Sequence, residues 1–340
     1  MFQRRQIDDS GTSAPHHPPT RRRIAAAVLL LALVAHTRCT NRSVPERPAP
    51  PLDNPDVMIR VAVGDNHHIK TLDLEEYVRG SVPAEMPLGE PNPTVASRLA
   101  QLQSILARTY ALANRGRHER EGFDLCSTTH CQVFRPQTSG LSRIDHLVST
   151  AVDRTAGLII TDGRGPIQAF FHADCGGRTS SATAVWGGPA PPYLSGVQDR
   201  FCLVTPRDDW SLDLNRDQLR QILNMSLDTH VGRRLDQVSV IQRDTAGRAV
   251  EVALSGSNQK IVRGERLRSV ISGQLGGRSF RSTHFTVKSQ SDRFRFEGQG
   301  FGHGVGLCQL GAMAQARQGH SIEVILAHYY PGTWLAPHSG

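Results

Sequence analysis

Four short segments carry side chains capable of chemistry in settings that neither a plain core nor a plain surface requires. The first is Ser81-Val82-Pro83-Ala84-Glu85-Met86-Pro87. A carboxylate between two prolines reads as part of a constrained loop beside apolar Val82, Ala84 and Met86. Partial burial there would raise its pKa towards the range of a general acid. Spacing alone favours an ordinary surface glutamate. The second is the group His118, Cys126, His130 and Cys131. It offers three or four ligands for a structural zinc ion, or two thiols for a local disulfide, and the residues by themselves leave both open.

The third segment runs from Phe170 to Thr179 and contains His172, Asp174, Cys175, Gly176 and Gly177 after an apolar strand. Polar groups where a strand gives way to a turn are a common place for catalytic or binding residues. The paired glycines would also let backbone N–H groups approach a ligand. A turn around a core histidine fits equally well. The fourth is Gly300 to Ala312, where glycines flank His303 and lead into a helix carrying Gln309. They imply close approach of backbone to substrate or to another loop. It is not a phosphate loop, because the Lys-Ser/Thr ending is missing.

The elements that must position these groups are mixed. Val57–Val63 and Ile69–Leu74 alternate as strands of a hairpin turning at Gly64-Asp65-Asn66. Asp73 can cap a short helix through Val78, and Thr94 a longer one bearing Val95, Leu99, Leu102, Ile105, Leu106 and Tyr110 at helical spacing. Leu158–Thr161 and Ile167–Phe171 read as buried strands. Runs around Val238–Ile241, Val250–Leu254 and His284–Lys288 alternate, and Gln309–Arg317 and Ile322–His328 read as closing helices. With no regular strand–helix alternation, the expected class is α+β with mostly antiparallel strands. Residues 206–282 hold the least motif-like sequence and are a candidate subdomain.

The chain has 340 residues and a formal charge of +8, which suits an anionic partner such as an acidic cell-wall polymer. The arginines form no basic helix and no basic–aromatic interleaving, which argues against nucleic acid. Arg21-Arg22-Arg23 precedes an apolar run from Ile24 to Ala35. That run is shorter than the roughly twenty residues a spanning helix needs and fits the core of a secretory signal. Residues 1–38 are therefore expected to be a signal peptide or N-terminal membrane anchor, the one segment of the chain that would meet the membrane. Residues 39–56 read as a Pro-rich linker and 57–336 as the folded domain. Export, to the periplasm or cell envelope, would put the five cysteines beyond Cys39 in an oxidising compartment.

In order along the chain, Tyr77 to Pro87, Ala107-Arg108-Thr109-Tyr110-Ala111-Leu112, Cys126 to Phe134, Phe170 to Thr179, Trp186 with Pro192-Tyr193-Leu194 and Asp199, Phe301 to Ala312, and His328 to Thr333 resemble the stage II sporulation protein D family. That domain is shared with amidase-enhancer proteins. The resemblance covers Val57 to the end and is weakest over 206–282. It implies a lytic transglycosylase acting on peptidoglycan glycan strands stripped of their stem peptides. In the family the glutamate of the Glu-Met-Pro motif is the acid/base, and Glu85 occupies its place. The resemblance further implies substrate-binding roles for Arg108, Tyr110, His172, Asp174, His303 and Gln309. It favours a structural zinc on His118, Cys126 and Cys131, with His130 as competing ligand, and makes Cys175–Cys202 the expected disulfide. Departures occur at Leu102-Gln103-Ser104-Ile105-Leu106, where only the apolar helix face of the family pattern survives. The alternative is a non-catalytic peptidoglycan-binding module that stimulates a cell-wall amidase. A zinc amidase or peptidase fits less well, because the Cys-rich cluster lacks an open His/carboxylate ligand set.

Overall fold

The computed structural model describes residues 57–64, 68–136, 142–204 and 209–338. The expected signal segment, the Pro-rich linker and most of the first hairpin turn lie outside the described residues. The chain opens with β1 (Met58–Val63) and β2 (His68–Asp73), an antiparallel pair. Asp73 Oδ1 then accepts the N–H groups of Glu75 and Glu76, which starts α1 (Leu74–Glu85). This helix continues well past Val78, where the sequence suggested a stop. Leu74, Tyr77, Val78, Ser81 and Val82 form a continuous buried stripe that carries it through Pro83, whose ring is exposed.

Asn92, rather than Thr94, caps α2 (Pro93–Ala113), because its Oδ1 takes the N–H groups of Thr94 and Val95. Proline at the first helical position is tolerated since its missing N–H would be unpaired anyway. α2 is the buried axis of the first core, with Leu99, Leu102, Ile105, Leu106 and Ala107 all enclosed. Around it lie β3 (Leu125–Cys126), parallel to β1; α3 (Arg143–Arg154), started by a capping box between Ser142 and Asp145; and β4 (Leu158–Thr161). β5 is only Phe171–His172, shorter than the predicted Ile167–Phe171 strand. Two short helices follow, α4 (Ala182–Trp186) and α5 (Arg200–Leu203).

A second hydrophobic cluster gathers residues from Trp210 to Phe296, among them Leu219, Val252, Leu267, Phe280 and Phe294. It is built from β6 (Trp210–Asn215), α6 (Arg216–Asn224), β7 (Leu235–Arg243), β8 (Ala249–Gly256), β9 (Gln259–Arg263), α7 (Gly264–Leu275), β10 (Phe285–Ser289) and β11 (Arg293–Gly298). Two antiparallel sheets, β7-β8-β9 and β10-β11-β6, form its framework. The chain then returns to the first core through β12 (Leu307–Cys308), parallel to β5, and through α8 (Gln309–Arg317), α9 (Ile322–Tyr329) and β13 (Trp334–Pro337), the last antiparallel to β4. The class is α+β with mostly antiparallel sheets, as the sequence predicts. No helix among the described residues is long and apolar enough to cross a membrane.

Candidate active site

Glu85 is the last residue of α1, not part of a loop. Its Oε1 accepts the backbone N–H of Val133. Burial raises its pKa and the Val133 bond opposes the rise, with no charged group among the causes. The C-terminal end of a helix also disfavours negative charge, so the helix dipole acts in the same direction as burial. The carboxyl is thus poised to hold a proton at higher pH than an ordinary glutamate. Gln309 Nε2, at the first position of α8, donates to the backbone carbonyl of Glu85 at 2.9 Å, and lies 3.5 Å from Gln103 Oε1. Segments more than two hundred residues apart in sequence meet here.

Val133 is delivered to Glu85 by the loop that bears the Cys/His group. The ligand atoms of His118, Cys126, His130 and Cys131 all lie within 4.8 Å of one another, a set that can hold a metal ion. His118 Nδ1 is 2.6 Å from Glu121 Oε1, and its Nε2 is 3.3 Å from Cys131 Sγ. A carboxylate that orients one ring nitrogen and aims the other at the ligand cluster is the usual arrangement behind a metal-binding histidine. His130 Nδ1 stands 3.7 Å from each sulfur, which makes it a member of the set and not only a competitor. Cys126 and Cys131 are free thiols. Immediately beyond, Gln132 Oε1 accepts from Tyr77 OH, and the Phe134 ring stacks on Tyr77. Gly80 makes this approach possible, since a Cβ there would lie 2.3 Å from the Phe134 ring.

His172 and His303 come together, with ring centroids 5.5 Å apart. Phe170 and Trp186 complete the group: Trp186 lies 5.2 Å from His303 and 4.8 Å from Phe170, and Tyr110 packs edge-on against Phe170. His172 Nδ1 donates to the Val305 carbonyl, while its buried Nε2 has no partner among the described residues. Burial pushes His172 well below the usual histidine range and His303 down to about 4. Both rings are therefore neutral at physiological pH. Burial likewise pushes Tyr110 up to about 12.

Two of the expected binding residues are placed elsewhere. Arg108 is wholly buried, with its Nε and Nη2 on the two Glu75 oxygens at 2.7 and 2.6 Å and its Nη1 on the Leu158 carbonyl. It ties α1, α2 and β4 together and turns no face to a substrate. Asp174 is buried with Cys175, Cys202 and Cys308, where its Oδ1 takes the Gly176 N–H and the Cys202 thiol. Cys175 and Cys202 are free thiols instead of the expected disulfide. Sequence reasoning missed Gln103 and Gln132, buried amides whose NH₂ groups lack partners among the described residues. Gln103 was detectable as a polar residue within an apolar helical run. A cavity of about 800 Å³ opens on the second cluster, lined by residues including Trp210, Arg243 and His284, and holds none of the expected site residues.

A family model described as stage II sporulation protein matches residues 63–161, which contain Glu85 and the whole Cys/His group. Stage II sporulation protein D of Bacillus amyloliquefaciens is 31% identical over 294 residues, covering 83% of this chain and 80% of that protein. The chain belongs to the stage II sporulation protein D family. The protein of that name from Bacillus subtilis (strain 168) is 29% identical over 282 residues, 80% of this chain and 76% of the relative. The amidase enhancer of the same organism is 27% identical over 301 residues, and this chain spans 40% of its length. A second model, a domain of unknown function, matches residues 207–306 and so overlaps the second hydrophobic cluster of this stage II sporulation protein D family member.

Proposed function

We propose that this protein is an exported lytic transglycosylase that cleaves the MurNAc–GlcNAc bonds of denuded peptidoglycan strands, with Glu85 as its single acid/base. The observation that carries the reading is the setting of Glu85: a carboxyl whose pKa is raised by burial, anchored by one backbone N–H, with no second carboxylate acting on it among the described residues. The two-carboxylate hydrolases need a second acid as nucleophile or base. Here the protonated carboxyl donates to the glycosidic oxygen as the bond breaks. The resulting carboxylate then takes the proton of the muramic C6 hydroxyl, whose oxygen closes on C1 to give a 1,6-anhydro ring. The nucleophile belongs to the substrate, so one acid suffices.

In this reading Trp186 and the neutral His172 and His303 bind sugar rings and hydroxyls, and the NH₂ groups of Gln103 and Gln132 are donors beside the reacting bond. Zinc is the ion assigned to His118, Cys126, His130 and Cys131; two thiolates and two imidazoles suit it. Its contribution would be structural, fixing the loop that presents Val133 to Glu85. Residues 206–282 are proposed to belong to a subdomain built around the second cluster, and residues 1–38 to direct export to the cell envelope.

The test is digestion of denuded glycan by wild type and Glu85→Gln. Anhydro-ended fragments from wild type alone support the proposal. The relative named amidase enhancer suggests a second reading, in which the protein binds glycan and accelerates an amidase without cutting. In that case neither chain releases anhydro ends, and both stimulate the amidase equally.

A further inference from the structure

We infer that Cys175, Cys202, Cys308 and Asp174 form a second, fully buried metal site, separate from the His118–Cys131 group, that takes a thiophilic divalent cation of the zinc class. The three sulfurs and a carboxylate oxygen of Asp174 lie within 4.8 Å of one another, and all four residues are buried. A tetrahedral zinc–thiolate centre sets its sulfurs about 3.7 Å apart, so only a small contraction would close the ligands on an ion. Each of the three thiols would lose its proton on binding, and the ion would replace the Sγ–H hydrogen bonds now made to carboxylates.

Three features around the cluster suit a metal–thiolate centre. Backbone N–H groups point at sulfur: Cys175 N to Cys308 Sγ and Gly177 N to Cys175 Sγ, both at 3.3 Å. Asp199 backs the cluster. Its Oδ2 takes the Cys175 thiol and the Tyr329 hydroxyl, and its Oδ1 takes the Cys202 N–H. Outer partners of this kind hold metal-binding ligands in orientation. The third feature is Arg248, wholly buried on the far side of the Gly300–Gly304 loop. Its guanidinium bonds only to carbonyls, those of Gly302, Asp174 and Cys175, among the described residues. A buried cation is costly unless negative charge faces it. Three thiolates and the Asp174 carboxylate around a divalent ion leave two negative charges, Asp199 outside the ligand set adds a third, and Arg248 offsets one of them.

A disulfide explains less. It would join two of the three thiols and leave the third buried beside two carboxylates and an arginine. The site also sits where a staple is useful: it joins the loop after β5, the start of α5 and the junction of β12 with α8. Those three segments adjoin β5, which carries His172, and α8, whose Gln309 reaches the Glu85 carbonyl.

Metal content of the full chain decides the matter. In a Cys126→Ser/Cys131→Ser chain the first group has lost both sulfur ligands, so an ion that is retained there and lost on adding Cys308→Ser sits at the buried cluster. We expect one equivalent of zinc there, and a cobalt-substituted sample with a thiolate-to-metal charge-transfer band. Adding Cys308→Ser should remove both. A folded Cys126→Ser/Cys131→Ser chain without metal, or with a mapped Cys175–Cys202 disulfide, overturns the inference. If that chain does not fold, Cys308→Ser is made in the otherwise native protein. It should then lower the metal content by one equivalent, and an unchanged content overturns the site.

Discussion

The backbone N–H of Val133, 48 positions later in the chain, donates to Oε1 of Glu85, so the orientation of the carboxyl at the end of α1 depends on the loop that bears the Cys/His group. Glu85 and that group are therefore one structural unit, although nothing in their local sequences links them. The opposite wall comes from farther still, since Gln309 reaches the Glu85 carbonyl from the start of α8.

Glu85→Gln should abolish cleavage while leaving the fold intact. A general acid contributes about 10²- to 10⁴-fold to rate, and here the same group also serves as base, so the loss should lie at the upper end. The amide oxygen of Gln can still accept the Val133 N–H, which is why the variant should fold. Release of anhydro-ended fragments at more than a tenth of the wild-type rate would remove Glu85 from the mechanism.

Stability should report the raised pKa of Glu85 independently of activity. Its ordinary value is 4.5 and burial raises it in the folded chain. Below the ordinary value both folded and unfolded chains are protonated, and the protonated carboxyl keeps its full contribution. As pH rises through the folded-state pKa, the unfolded chain ionises more readily and that contribution is lost. Glu85→Gln cannot titrate. Its melting temperature should therefore gain on that of wild type as pH rises from below 4 to neutrality, and then level off. A constant difference across that range, read by calorimetry, would show that Glu85 is not buried as described. For the same reason wild-type kcat/KM should fall as pH rises through this pKa, because the acid must start protonated.

Much of this was legible in the sequence, and the failures have physical causes. The hairpin, the long α2, the closing helices α8 and α9 and the α+β class follow from periodicity and caps. The length of α1 did not, because an internal proline normally ends a helix. Here Pro83 falls in the last turn with its ring in solvent, and the buried stripe from Leu74 to Val82 outweighs its missing N–H. α3 was detectable from the Ser142–Asp145 capping box before Leu147, Val148, Ala151 and Val152. The buried pairing of Arg108 was not legible, because its partner Glu75 lies 33 residues away and only the fold brings them together. Asp174 was expected to bind substrate for a related reason: nothing local to it shows that Cys202 and Cys308 converge on the same point.

Gly80 is the narrowest point in the link between the Cys/His loop and α1. An alanine Cβ there would lie 2.3 Å from the Phe134 ring and 2.8 Å from the Arg135 carbonyl. The loop must move outward, carrying Val133 away from Glu85. Gly80→Ala should therefore cut kcat at least tenfold while KM changes little, since the rings around His303, proposed to bind sugar, are untouched. Wild-type kinetics from a folded Gly80→Ala chain would break the connection between loop and acid.

Chelation should act through the same route. Stripping metal from the His118–Cys131 group, with the buried cluster protected from solvent, should lower both kcat and the melting temperature, and added zinc should restore them together. A metal that only stabilised a remote loop would shift the melting temperature and leave kcat unchanged at a temperature where both forms are folded.

Arg108 separates a structural role from a binding one. Removing one partner of a buried ion pair costs about 3–5 kcal/mol, because the other charge is left without compensation. Arg108→Ala should lose stability on that scale, measured by denaturant unfolding. Arg108→Met combined with Glu75→Leu removes both charges and keeps most of the volume, and should recover the greater part of the loss. The folded fraction of the double variant should bind and cut glycan with near wild-type KM, because the guanidinium faces Glu75 and the Leu158 carbonyl and no open surface. A KM raised tenfold or more in that double variant would return Arg108 to the substrate site.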